Sequence, residues 1–250
     1  MKTAIFIPSR VSSTRLKNKP LSDLCGKPAI EFLINQIKSS SLVDIIVLCS
    51  TTNKEDNILS EIAKRNNIEF FSGSEKDIIE RYVFASRKYK VDFIVNVDGD
   101  DIFCDPFLVD KTIEVFYKTK PDVVHFVGFP FGSVPFGFTE ESLECIFRTK
   151  KENNTETGWG SYFLDKEKFN IETIKATGLY KHPEIRMTLD YPEDLQFFRE
   201  TLNKMNPENE ILHLNKIIKF LLKNPEIIDI NKKMQEKYLD NFEKVKANGC

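Results

Sequence analysis

Asp44-Ile45-Ile46-Val47-Leu48-Cys49-Ser50 is the stretch from which the architecture can be read. It is apolar and rich in β-branched residues, with no polar alternation. That pattern predicts a strand buried on both faces, as in a parallel sheet covered by helices. The chain on either side repeats the theme. Thr3–Pro8 is a short apolar run stopped by proline. Helical spacing over residues 29–38 puts Ile30, Leu33, Ile34 and Ile37 on one face. Residues 52–66, 76–90 and 106–118 predict further helices, and residues 69–71, 91–97 and 123–127 further strands. Strand and helix alternating at this pitch predict an α/β fold, three-layered α/β/α and Rossmann-like, with a mainly parallel central sheet. Ligands of such sheets lie beyond the carboxyl ends of strands, so the loops after Ile7, Ser50, Phe71 and Val97 are the places to search.

The second half is less regular. Residues 128–137 read as a loop or ragged strand and residues 150–157 as a mobile polar loop. A strand is expected over 184–189, then helices over 192–202, 212–222 and 232–245. With no repeat and no long linker, the expectation is a single domain over 1–250, with a nucleotide-binding half (1–127) and an acceptor-binding half (128–250) that includes the last helices.

Composition excludes several classes. Against 36 Lys+Arg stand 38 Asp+Glu, a net charge of −2, so no strong field exists to attract nucleic acid or an anionic membrane. Hydrophobic residues at 41% and charged residues at 30% fit a globular protein rather than a disordered one. No run approaches the ~20 apolar residues of a membrane helix. Ala4-Ile5-Phe6-Ile7 is too short for a secretory leader. Five scattered cysteines fit reduced thiols better than a disulfide framework or a zinc site. A cytoplasmic location is expected.

Pro8-Ser-Arg-Val-Ser-Ser-Thr-Arg-Leu-Lys-Asn-Lys-Pro20 follows the first strand. Arg10, Arg15, Lys17 and Lys19 are interleaved with the small hydroxyl residues Ser9, Ser12, Ser13 and Thr14. Arginine forks match phosphate oxygens, and small residues let backbone N–H groups approach a polyanion. The glycines of a Walker loop are missing. On composition alone, a triphosphate site and a solvated basic loop stand level. Three carboxylates, Asp98, Asp100 and Asp101, close the fourth strand with Gly99 among them. Packed this tightly they repel one another unless a cation sits between, which favours magnesium over a solvent-facing turn. Asp190 ends an apolar run before Pro192. It either caps the next helix or faces the site.

The arrangement resembles the cytidylyltransferases that activate acidic sugars, the 3-deoxy-manno-octulosonate and spore-coat-polysaccharide types. Their pattern I-P/Q-A-R-x-x-S-T-R-L-P-x-K-x-L…G-K-P stands here as Ile7-Pro8-Ser9-Arg10, Ser13-Thr14-Arg15-Leu16, Lys19-Pro20-Leu21 and Gly26-Lys27-Pro28. Ser9 replaces alanine and Lys17 replaces proline. Their R-x-T-x-D-x-P-E-D-L stands as Arg186 to Leu195. The resemblance implies a nucleotide-diphospho-sugar transferase fold and transfer of CMP from CTP to a sugar or phosphorylated small molecule, with release of pyrophosphate, in surface polysaccharide synthesis. It implies Arg10, Lys19 and Asp100 as catalytic residues, and Mg²⁺ as cofactor on Asp100 and Asp190. Nucleotide contacts are implied at Pro8, Ser9, Arg10, Ser13, Arg15, Lys19 and Asp98. It also places the base at Ser50, Gly73, Ser74 and Arg81, where capping by Thr52 and Ser74 is an equal rival.

The acceptor half departs from the family's R-E-H-V-T, having Glu156-Thr-Gly-Trp-Gly-Ser-Tyr162 instead. Trp159 and Tyr162 are candidates for stacking on the acceptor, with a packing plug as the rival reading for Trp159. His182 and Arg186 are candidates for an acidic acceptor. Expected partners are CTP and a small-molecule acceptor, with a homodimer left open and neither nucleic acid nor membrane expected. Two rivals remain. One is a metal-dependent glycosyltransferase using Asp98-Gly99-Asp100 as a D-x-D motif. The other is an idle binding protein, against which Lys19, Asp100 and Asp190 argue.

Overall fold

The computed structural model describes all residues except Thr14, Glu208, Asn209, Gly249 and Cys250, and the side chains of residues up to 240. The expected motif residue Thr14 therefore lies outside the described residues. Strand β1 (Thr3–Pro8) leads through the site loop to a small hairpin, β2 (Asp23–Leu24) and β3 (Lys27–Pro28), and then to α1 (Ala29–Ile37). Next come β4 (Ile45–Thr51), α2 (Asn57–Arg65), β5 (Glu69–Gly73), α3 (Ile78–Tyr89), β6 (Phe93–Asn96), α4 (Pro106–Thr119) and β7 (Val123–Val127). The remainder holds β8 (Phe136–Thr139), α5 (Glu140–Thr149), β9 (Ile171–Lys175), α6 (Pro192–Met205), α7 (Leu214–Lys223) and α8 (Pro225–Asn248).

Seven strands form one sheet in the order β5-β4-β1-β6-β8-β7-β9. β8 runs antiparallel to both its neighbours, and the other four pairings are parallel. Side chains alternate between two cores. Ile5, Ile7, Leu48 and Val95 pack under α1, α2, α4 and α7, while Ala4, Phe6, Val47 and Ile94 pack under α3 and α5. This two-sided burial is why the central strands read as unbroken apolar runs.

The structure corrects the sequence reading in the second half. Residues 184–189 are no sheet strand. They make one isolated bridge, between Phe131 and Arg186. Their apolar run is buried instead by packing of Ile185, Met187 and Leu189 into the first core. Unforeseen are α5 and the edge strand β9, and the last predicted helix is the later part of the longer α8. The loop at 150–157 is tied down. Lys150 pairs with Asp77 with both side chains 4% exposed, and the Thr155 hydroxyl donates to Asp77 Oδ1 at 2.7 Å.

Candidate active site

Beyond the carboxyl ends of β1 and β6 lies a cleft of about 1390 Å³. Its basic wall is the loop after β1. Ser9 N–H donates to the Cys49 carbonyl at 3.1 Å, and Val11 N–H to Asp56 Oδ1 at 2.7 Å. Asp56 is itself buried and accepts from the Thr51 hydroxyl, so the loop leaves the sheet in a fixed direction. Pro8, Ser9, Arg10, Ser13, Arg15, Lys17 and Lys19 all line the cleft.

The acidic wall is the turn after β6. Gly99 N–H donates to the Pro8 carbonyl at 3.2 Å, and a β-carbon at Gly99 would stand only 2.6 Å from that oxygen. Glycine is therefore what lets the acidic turn press against the basic loop. Asp98, Asp100 and Asp101 line the cleft here. A relay from the core orients the first of them: Tyr82 O–H donates to Asn96 Oδ1 at 2.5 Å, and Asn96 Nδ2 to Asp98 Oδ1 at 3.0 Å.

Asp190 arrives by a separate route. Leu189 N–H donates to the Asp100 carbonyl at 2.9 Å, which hooks this segment onto the acidic turn. Lys19 Nζ then bridges the two carboxylates, at 2.5 Å from Asp100 Oδ2 and 3.1 Å from Asp190 Oδ1. Arg15 Nη2 donates to Asp190 Oδ1 at 2.5 Å. Asp190 does not cap α6. That end is closed by Asp194, whose Oδ2 accepts the N–H groups of Asp190 and Tyr191, both at 2.9 Å.

Behind Asp190 stands a network that engages Arg186, expected from the sequence at the acceptor, in holding two carboxylates instead. Arg186, 1% exposed, donates to Asp190 at 3.2 Å and to both oxygens of Asp194 at 2.9 and 3.1 Å. From α8, Asn231 Nδ2 donates to Asp194 Oδ1 at 2.9 Å, and Gln235 Oε1 accepts from Arg186 at 3.0 Å. Tyr238, one turn further along the same face, reaches the cleft. The spacing Asn231, Gln235, Tyr238 (i, i+4, i+7) was the available signal for a shared face.

Charge dominates this site. Burial, then the neighbouring Asp100, pushes the Asp98 carboxyl up to about 6, and burial with the same neighbour raises Asp101 well above the ordinary range. Burial acts on Asp190 in the same sense, but Lys19 and Arg15 outweigh it and hold the group down at about 2. Burial, then the nearby carboxylates, lifts Tyr238 to about 12. Burial and carboxylate crowding thus disfavour the charged forms of Asp98 and Asp101, while the cations keep Asp190 charged. An all-oxygen donor set with two carboxylates gathered on one ammonium fits Mg²⁺, which uses one or two carboxylates and takes its other ligands from phosphates and water. Among the described residues, no group of three or more His, Cys, Asp or Glu side chains forms a cage for a metal without such help.

The other expected residues divide. Arg81 lines the cleft, whereas Ser50, Gly73 and Ser74 do not. Ser50 is wholly buried, its hydroxyl without a partner among the described residues. The Ser74 carbonyl accepts twice from Arg81, at 2.9 and 2.7 Å, and a β-carbon at Gly73 would press to 3.1 Å from Arg81 Cγ. These two positions therefore set Arg81 in place. Thr52 caps no helix; Asp77 caps α3. Trp159 lines the cleft while packing edge-on to Tyr82, Phe136 and Phe163, as the packing reading expects. Tyr162 packs against the second core, and His182 pairs with Glu184 at 2.8 Å away from the cleft wall. Arg186 is likewise behind the wall. Glu156, absent from the expected set, lines the cleft and pairs with Arg81 and Arg10.

Residues 4–244 match the family model described as Cytidylyltransferase. The chain belongs to the cytidylyltransferase family. A full-length relative is an uncharacterised protein of Methanocaldococcus jannaschii, 31% identical over 95% of this chain and 97% of its own. The 3-deoxy-manno-octulosonate cytidylyltransferase of Chlorobium phaeobacteroides is 30% identical over 73% of this chain and 71% of its own. The spore coat polysaccharide biosynthesis protein SpsF of Bacillus subtilis is 22% identical over 88% and 94%. Among solved structures, a cytidylyltransferase from Leptospira borgpetersenii superposes with a TM-score of 0.79 at 24% identity, covering 91% of this chain and 97% of that one. That likeness bears out the nucleotidyltransferase fold. Among the described residues, no helix of this family member is long and apolar enough to cross a membrane.

Proposed function

We propose that the protein transfers a cytidylyl group from CTP to a sugar or sugar-phosphate acceptor, releasing pyrophosphate, as a step in surface glycan synthesis in the cytoplasm. One observation carries this reading: Lys19 clasps Asp100 and Asp190 together, so the basic loop, the acidic turn and the acceptor-half segment converge on one point. Carbohydrate acceptors are supported by the names of the Chlorobium and Bacillus relatives.

In this reading Arg10, Arg15, Lys17 and Lys19 bind the triphosphate. Lys19, released from its carboxylates, faces the charge that gathers on departing pyrophosphate. Asp100 and Asp190 would hold Mg²⁺, which when bound neutralises phosphate charge and polarises phosphorus toward attack. The cleft walls orient the acceptor oxygen in line with the α-phosphorus; as the new P–O bond forms, the bond to the bridging β-phosphate oxygen breaks, pyrophosphate leaves, and a hydroxyl acceptor gives up its proton to solvent. Trp159 in the wall offers the acceptor an aromatic face.

A glycosyltransferase using Asp98-Gly99-Asp100 would leave the basic loop without a purpose, although Lys19 of that loop is bonded to Asp100. Pyrophosphate release from CTP, measured against a panel of acidic sugars and sugar phosphates with Mg²⁺, tests the reading. Turnover with at least one acceptor is expected. Hydrolysis or transfer of the sugar from a nucleotide sugar, with no pyrophosphate from CTP, would refute it.

A further inference from the structure

We propose that Glu156 is the residue that selects cytosine over uracil, accepting a hydrogen bond from the 4-amino group while Arg81 donates to the ring's acceptor edge. The inference rests on the cytidylyltransferase reading and adds to it a residue for base choice. Arg81 is 1% exposed and lines the cleft. Its Nε and Nη2 are spent on the Ser74 and Glu75 carbonyls and on Glu156. Its Nη1 has no protein acceptor among the described residues. Beside it, Glu156 keeps its second oxygen only 3.6 Å from Arg10 Nη1.

A buried arginine neutralised by its own carboxylate makes a poor phosphate site, because the carboxylate repels the phosphate. It makes instead an edge with a donor, Arg81 Nη1, beside an acceptor, the Glu156 carboxylate. Cytosine presents the complement, an amino donor at C4 beside acceptors at N3 and O2, and carboxylates accept from that amine. Uracil presents a carbonyl at C4 and an N–H at N3, so both contacts reverse. Its O4 would face the Glu156 carboxylate, a repulsion of the kind that specificity requires.

Glu156 is held for this task. The adjacent Thr155 is anchored by its N–H to the Lys76 carbonyl at 2.9 Å and by its hydroxyl to Asp77, and its oxygen accepts the Ile79 N–H at 3.3 Å. Lys150 closes the other end of the loop on Asp77 with a buried ion pair. The loop therefore brings Glu156 to the first turn of α3 already oriented, and little ordering is left to binding.

The test is calorimetric binding of CTP, UTP and the 2-pyrimidinone ribonucleoside triphosphate, which lacks the amino group, to the full chain with Mg²⁺ and no acceptor. The wild type is expected to bind CTP at least about tenfold more tightly than either analogue. Glu156→Gln, whose amide can turn to donate to O4, should lose that preference by about tenfold, with UTP gaining affinity. A variant that keeps the wild-type CTP-to-UTP ratio overturns the proposal. So does a wild type that binds CTP and the pyrimidinone equally, a comparison that needs no variant to fold. Tight CTP binding without base preference would leave nucleotide transfer standing, whereas no binding of any of the three would overturn both readings.

Discussion

In the amino-terminal half, cleft residues stand directly beyond sheet strands: Ser9 and Arg10 after β1, Asp98 and Asp100 after β6. In the carboxyl-terminal half, Asp190 stands on no sheet strand. A backbone bond to the acidic turn and a buried Arg186–Asp194–Asn231 network bring it to the same point. Two arginines mark the contrast. Arg10 has a side chain 39% exposed and reaches Glu156 across 3.6 Å, whereas Arg186 is 1% exposed and fully engaged. The amino-terminal half places its cleft residues through the sheet and leaves Arg10 open to solvent. The carboxyl-terminal half places its cleft carboxylate, Asp190, through burial, so that the shape of the cleft there is bound up with folding.

The largest effect is expected of Arg186→Met. It leaves Asp190 and Asp194 buried without their common cation, and breaking such a pair costs about 3–5 kcal/mol. For a chain of this size that is a fall in melting temperature of roughly 6–20 °C. Arg10→Met, in contrast, should stay within about 0.5 kcal/mol of wild type. Equal melting temperatures for the two variants would erase the distinction.

A smaller effect of opposite sign is expected at the acidic turn. Burial and Asp100 raise the Asp98 carboxyl to about 6 in the folded chain, above the unfolded value of roughly 3.9. Such a group favours the fold below about pH 4, and that stability is lost as pH rises toward 6. Asp98→Asn, measured in chelator without nucleotide, should therefore be more stable than wild type by about 1–2 kcal/mol above pH 6. The gap should vanish near pH 4. A gap independent of pH would show that Asp98 carries no excess charge. Asp190 has the reverse sign. Its stabilising pair with Lys19 and Arg15 is present above about pH 4 and fades as pH falls toward 2.

The same contrast explains what could be read from the chain. The strands at 3–8 and 44–50 were legible because burial on both faces forces an uninterrupted apolar run, and the basic loop and acidic turn because each gathers its charges within a few positions. Residues 184–189 misled because their apolar run is buried in the first core with only one isolated bridge and no place in the sheet. The edge strand β9, Ile171-Glu-Thr-Ile-Lys175, is half-exposed and polar, so it carries little of the strand signal. Glu156 sits in a stretch whose composition reads as a mobile loop. Its place is fixed by Asp77 and Arg81, more than seventy positions away, and no local pattern reports that.

The most direct measurement is calorimetric titration of CTP into the wild-type protein and into Asp190→Asn, each with Mg²⁺ and with chelator, after melting curves confirm that both are folded. If both halves build one site for a metal-bound triphosphate, the wild type should bind CTP with Mg²⁺ and at least about tenfold more weakly in chelator. The variant should lose about the same factor even with Mg²⁺ present. Equal affinity in both proteins, indifferent to chelator, would mean that Asp190 belongs to the fold alone and that the two halves share no nucleotide site.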